Sequence, residues 1–207
     1  MRPLLSLLAP LLLLTGCPGK QRPAVVPAEY QPRDGDFLFQ SLPHNPLIDA
    51  IEGSTHSPFS HCGIVVNRDG TWKVIEAIGP VKETLLPLWI AQGRNNAYVA
   101  YRLTAPLDGK ITEIIAAAER YKGRPYDIHY ALDDVKIYCS ELLWKATHDA
   151  TGTKLGKLQT LGDLNWQPYE PVIRSIENGG LPLEREMITP RAVTEDPRLK
   201  EVFRFRM

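Results

Sequence analysis

The chain has 207 residues, 43% of them hydrophobic and 23% charged, which suffices for one domain with a buried core. Its 24 basic side chains balance its 24 acidic ones, and a neutral total argues against a nucleic-acid binder, which carries a basic excess. Three cysteines and five histidines show no paired ligand spacing of the zinc type, so no metal and no cofactor is expected.

At the N-terminus, Met1-Arg2-Pro3 sets one positive charge before Leu4 to Leu14, an apolar run broken only by Ser6 and Pro10. A bilayer-spanning helix needs roughly 20 apolar residues, so this run is too short to span and reads as a signal-peptide core. It ends in Leu14-Thr15-Gly16-Cys17, which resembles a bacterial lipobox. That resemblance implies removal of residues 1–16, lipidation of Cys17 and attachment to a membrane. A plain secretory cleavage site is the competing reading. Pro18, Pro23, Pro27 and Pro32 follow, so residues 17–33 are expected to form a Pro-rich tether, with the folded domain at 34–207. Pro18 stands where an aspartate would favour inner-membrane retention. By resemblance to other lipoproteins, this implies an outer-membrane anchor facing the periplasm.

Asp34-Gly35 predicts a turn, and Asp36 to Gln40 a strand. Leu47, Ile48 and Ile51 predict a short helix ended by Gly53, with a polar loop from Ser54 to Ser60. His61 to Val66 predicts a strand, Asn67 to Gly70 a turn, Thr71 to Ile78 a second strand and Tyr98 to Leu103 a third. Ile111, Ile114, Ile115, Ala118 and Tyr121 recur at helical spacing, predicting a helix over 109–122 that Gly123 closes. Residues 124–137 read as loop, a helix follows from Cys139 to Gly152, and another is expected at Pro171 to Glu177. The tail from Leu181 reads as short elements wrapping the core. Strands before helices predict an α+β domain with a mainly antiparallel sheet.

Cys139 falls where loop turns into amphipathic helix, with Leu142, Leu143, Ala146 and Ala150 as the apolar stripe. The dipole and free amides of a helix start favour thiolate over thiol, and thiolate is the nucleophile. The same amides suit an oxyanion. A lone cysteine is more often a small buried hydrophobe, so a base is needed. Pairing Val66 with Thr71 across a four-residue loop opposes His61 to Glu76, a distance at which a carboxylate orients an imidazole. A one-residue slip would separate them. Taken singly, His61 would pass for a structural histidine and Glu76 for a solvated edge carboxylate. Strand alternation sends Cys62 to the side opposite His61, away from the site, as a packing residue. A disulfide between Cys62 and Cys139 also remains open.

The runs Ser57-Pro58-Phe59-Ser60-His61-Cys62-Gly63-Ile64, Glu76-Ala77-Ile78-Gly79-Pro80-Val81, Gly123-Arg124-Pro125-Tyr126-Asp127 and Tyr138-Cys139-Ser140-Glu141-Leu142 together resemble the YiiX-like branch of NlpC-type papain-fold cysteine hydrolases. The resemblance covers roughly residues 33–200. It implies a circularly permuted papain-like fold, which explains why the histidine precedes the cysteine. It also implies Cys139 as nucleophile, His61 as general base and Glu76 as the residue that orients it. Tyr126 matches a tyrosine near the pocket with a substrate-binding role; a loop aromatic capping the core is the equal alternative. The activity implied is hydrolysis of an amide or related acyl bond through a thioester. The expected substrates are a peptide, a peptidoglycan fragment or an N-acyl amino acid. An acyltransferase or lipase-like enzyme with the same triad is the alternative, and a binding lipoprotein with a retired site the third reading.

Overall fold

The computed structural model describes residues 22–207, so the expected signal peptide and lipidated Cys17 lie outside the described residues. The chain runs β1 (Phe37–Gln40), α1 (Pro46–Thr55), β2 (His61–Arg68), β3 (Thr71–Ala77), β4 (Val81–Leu85), α2 (Leu86–Gln92) and β5 (Tyr98–Leu103). It continues with α3 (Ile111–Glu119), α4 (Cys139–Thr151), β6 (Gln159–Thr160), α5 (Glu170–Ile176), β7 (Glu186–Met187), α6 (Pro190–Thr194) and β8 (Leu199–Phe205). Six strands form one sheet in the order β4-β3-β2-β1-β5-β8. Each of its neighbouring pairs is antiparallel, as is the β6–β7 pair. The fold is the expected α+β arrangement.

Both faces of the central strands are covered. On one, Phe37, Phe39, Cys62, Ile64 and Val66 meet α3 and α4; on the other, Leu38, Val65, Val74 and Ala100 meet Leu86, Trp89 and Ile90 of α2. Two-sided burial is why Ile64-Val65-Val66 is an unbroken apolar run rather than an alternating one. Fully burying each such side chain stabilises the fold by about 1.5–3 kcal/mol before entropy is counted.

The β2–β3 hairpin differs from expectation in its register. Arg68 pairs with Thr71, so the loop is the two-residue Asp69-Gly70 rather than four residues. Both loop residues have positive φ, 52° and 84°, as a tight turn compatible with strand twist requires. Asn67 stays in the ladder and its Oδ1 accepts from the Gly70 amide at 2.8 Å. Glu76 therefore opposes Gly63, two places from the expected His61.

Other departures have local causes. Helix α1 passes through Gly53, where the missing side chain makes room for Tyr169: a Cβ there would lie 1.6 Å from its hydroxyl. The helix ends instead at His56, with φ 48°. Strand β4 and helix α2 were not legible, since α2 has no side-chain cap and opens on Leu86-Pro87. The tail yields a seven-residue edge strand, β8, paired along β5. Part of the expected tether is packed: Ala24 and Val26 lie on the α2 face, and buried Tyr30 donates to Asp36 Oδ2 at 3.0 Å. The packed unit thus begins before residue 34, held by an apolar face that α2 alone does not cover.

Candidate active site

Cys139 is the first residue of α4, directly after the N-cap Tyr138. The helix start is fixed at three points. Glu141 Oε2 accepts from the Tyr138 amide at 3.2 Å, Tyr138 Oη accepts from the Ile188 amide at 2.9 Å, and Ser140 Oγ donates to Ile188 O at 2.8 Å. Cys139 is 3% exposed, with Sγ 4.0 Å from Ser60 O.

His61 opens β2, and its Nε2 donates to Glu76 Oε2 at 2.6 Å. An ionised carboxylate only accepts, so the proton sits on Nε2 and Nδ1 is the nitrogen left for the thiol. Glu76 Oε1 accepts from Thr84 Oγ1 at 2.5 Å and Gln92 Nε2 at 3.1 Å. Trp89 stacks on the imidazole with ring centroids 5.9 Å apart. Both His61 and Glu76 are shielded from water, so their mutual attraction is little screened. Burial alone would lower the His61 pKa, but hydrogen bonds and charge from Cys139 and Glu76 raise it to about 9. Burial pushes the Glu76 carboxyl up, and the His61, Thr84 and Gln92 donors outweigh it and bring it down. The Cys139 thiol lies well below the usual range, through hydrogen bonding from Cys62 and then from His61, against its burial. The arrangement can hold a thiolate–imidazolium pair at neutral pH.

The register difference leaves this contact intact. A shift of two places keeps a side chain on its face, and Gly63, lacking a side chain, leaves Glu76 free to lean toward His61. Thr84, Gln92 and Trp89 carry no sequence mark, because the elements that bring them here had no local signal.

Cys62 is the buried packing residue expected. Alternation does separate it from His61, but the face it takes is the one on which α4 docks. Fully buried Cys62 packs in the cluster that holds Cys139. Cys139 Sγ reaches the start of β2 through Ser60 O, the residue before His61 and Cys62.

Cys139 and Ser140 line an open cleft beside the start of α4. Its walls are mainly aliphatic, from Leu47 and Ile51 of α1, Ile173 and Ile176 of α5, Leu161 and Met187. Its charged members are paired: Arg185 Nη1 and Nη2 donate to Glu177 at 2.6 and 3.0 Å, and Nη1 also to His129 O at 2.6 Å. Tyr126 is not a wall residue; it sits behind Tyr130, which is, and donates to the Tyr130 hydroxyl at 3.4 Å. Of the other histidines, His129 lines the same cleft with its Nδ1 3.2 Å from Glu177 Oε1, while His44 lies against Asp49 and Arg94 and His148 stacks on Trp144.

Residues 31–203 match the model of a family described as "Permuted papain-like amidase enzyme, YaeF/YiiX, C92 family". The chain is 36% identical over 181 residues to the uncharacterized protein YiiX of Escherichia coli strain K12, an alignment covering 86% of this chain and 89% of that one. It also resembles a crystal structure titled as the metalloprotein yiiX of Escherichia coli O157:H7. There the TM-score is 0.80 and the identity 35%, covering 85% of this chain and 99% of that chain. Among the described residues here, no three His, Cys, Asp or Glu side chains group so that they could hold a metal ion.

Proposed function

The chain belongs to the permuted papain-like amidase family, and on that premise we propose that it is a lipid-anchored cysteine hydrolase of the bacterial envelope. It cleaves an amide bond with Cys139 as nucleophile, His61 as acid and base, and Glu76 as the group that orients and charges the imidazole. The observation that carries this reading is the buried 2.6 Å contact between His61 Nε2 and Glu76 Oε2 beside a cysteine at a helix start.

In this scheme the Cys139 thiolate attacks the carbonyl carbon, and the oxyanion is met by the first-turn amides of α4. His61 Nδ1 gives its proton to the departing amine, leaving a thioester on Cys139. It then takes a proton from water, which releases the acid. Glu76 stays ionised throughout and stabilises the imidazolium. The lipobox supports an anchor through Cys17 and a periplasmic site at the outer membrane, where peptides and peptidoglycan fragments are within reach.

The cleft favours a second specification of the substrate. A wall of Leu47, Ile51, Ile173 and Ile176 stabilises an aliphatic chain and offers a sugar or charged peptide few polar partners. An N-acyl amino acid fits this cleft better than a muropeptide, and a lipid acyl group fits the alternative activity, acyl transfer. Incubating the full chain with N-acyl amino acids, peptidoglycan fragments and phospholipids, with product analysis, separates these. Iodoacetamide labelling tests the nucleophile independently. The reading fails if Cys139 labels no faster than Cys62, or if its rate ignores loss of His61.

A further inference from the structure

Cys62 takes no part in the hydrolytic scheme, yet it packs in the core cluster that holds the nucleophile, and both thiols are free. It is fully buried, on the face of β2 against which α4 packs, in the same cluster as Tyr138 and Cys139. Cys139 opens onto the cleft and Cys62 does not line it. One sulfur is thus reachable by a small solute, and a second thiol waits behind it. We propose that Cys62 is a resolving thiol, which makes the Cys62–Cys139 pair a site of reversible oxidative modification by hydroperoxides.

The chemistry balances with the groups present and a hydroperoxide as oxidant. The Cys139 thiolate attacks the peroxide oxygen; an S–O bond forms, the O–O bond breaks, and the hydroxide released takes the proton of the His61 imidazolium. Sulfur is oxidised to sulfenic acid and the peroxide is reduced to water. The Cys62 sulfur then attacks Cys139 Sγ. An S–S bond forms, the S–O bond breaks, and hydroxide leaves as water with the proton of Cys62. Exchange with a dithiol returns both thiols. A low-pKa thiol beside a resolving cysteine is the arrangement of redox-sensing sites, and disulfide formation spares the nucleophile from irreversible sulfinic acid. Access gives the two cysteines distinct roles: Cys139, on the cleft, attacks peroxide, and Cys62, buried away from it, attacks the product.

The test treats the full chain with hydrogen peroxide, maps its peptides without reduction, and measures iodoacetamide labelling of Cys139 before oxidation and after dithiothreitol. The native chain should give a peptide linking Cys62 to Cys139, lighter by two hydrogens than its parts, and should recover its labelling. Cys62→Ser should instead accumulate sulfinic acid at Cys139 and recover about tenfold less. Cys62→Ala serves as a second variant should the buried hydroxyl impair folding, and labelling before oxidation shows which variant keeps a competent Cys139. A variant that recovers as the native chain does overturns the proposal. So does a native chain that yields sulfinic acid with no linked peptide, or one that links Cys139 to a second chain.

Discussion

Gly63 faces Glu76 across the β2–β3 ladder, and that pairing sets the angle at which the glutamate reaches His61. A Cβ at Gly63 would lie 2.4 Å from Val74 Cγ1, 2.8 Å from Ile75 O and 3.4 Å from Glu76 Cβ. The empty position is what lets the strands close while the carboxylate crosses diagonally to Nε2. Because the obstruction includes backbone, relaxation would have to move β3 itself.

Gly63→Ala should therefore cost about 1–3 kcal/mol of folding stability, read from urea unfolding. It should also slow iodoacetamide labelling of Cys139 by disturbing the His61–Glu76 contact. Stability equal to the parent chain would show that the hairpin absorbs the methyl group.

In the proposed scheme, His61→Ala removes both the proton shuttle and the cation that holds the thiolate. Hydrolysis should fall by about 10²–10⁴. The onset of Cys139 labelling should move to higher pH, toward the ordinary thiol value of about 8.5. Labelling rates across pH 5 to 9 check the shift, at about the resolution of one pKa unit.

Glu76→Gln keeps the shape of the site and removes the anion. His61, held up at about 9 by Cys139 and Glu76 against its burial, then titrates lower. In the proposed scheme the imidazolium protonates the leaving amine, so hydrolysis should fail as pH rises through the His61 pKa. The alkaline limb should sit near pH 9 in the parent chain and move toward neutrality in the variant, with turnover at pH 8 reduced about tenfold or more. An unmoved limb would detach Glu76 from the histidine.

Away from the site, Glu83 joins β4 to its neighbours through Arg68 at 3.0 Å, Lys73 at 3.1 Å and Lys122 at 2.6 Å. Burial raises its carboxyl, but Lys122, Lys73 and Arg68 outweigh this and bring it to about 2. A depressed carboxylate contributes stability that is complete above its unfolded value, about 4.3. The contribution is lost as pH falls through about 2. Glu83→Gln should lower the melting temperature at pH 7, and the gap to the parent chain should narrow steadily below pH 4.

Ile173→Trp would fill the aliphatic cleft from the α5 side. Cleavage of long-chain N-acyl amino acids should lose kcat/KM about 10–100-fold, while an acetylated substrate changes little. An equal loss for both would mean that the cleft does not hold the acyl chain.

The helix of Cys139 was legible because everything that makes it is local: an apolar stripe at 3.6-residue spacing, Glu141 in the first turn and Gly152 at φ 72° closing it. The sharing of one face by His61 and Glu76 was legible for a different reason. Side chains alternate with a period of two, so an assignment wrong by two places still puts both on the same side. The exact register was not legible, since Asn67-Arg68-Asp69-Gly70 reads as a turn whether two or four of its residues lie outside the ladder. Thr84, Gln92 and Trp89 were hidden because β4 and α2 carry no cap or alternation. Their contacts with the dyad depend on α2 folding back over the sheet.

The sequence by itself determined which residues could do chemistry, the helix that carries one of them and the hairpin that carries the other two. Periodicity and capping act over a few residues and leave their mark on the order of the chain. Tertiary structure alone decided that α4 docks on the Cys62 face of β2, and that α1 and α5, more than a hundred positions apart, enclose an aliphatic cleft above Cys139. Those outcomes rest on which apolar surfaces bury one another. That depends on the shape of the whole packed core, and no local pattern records it.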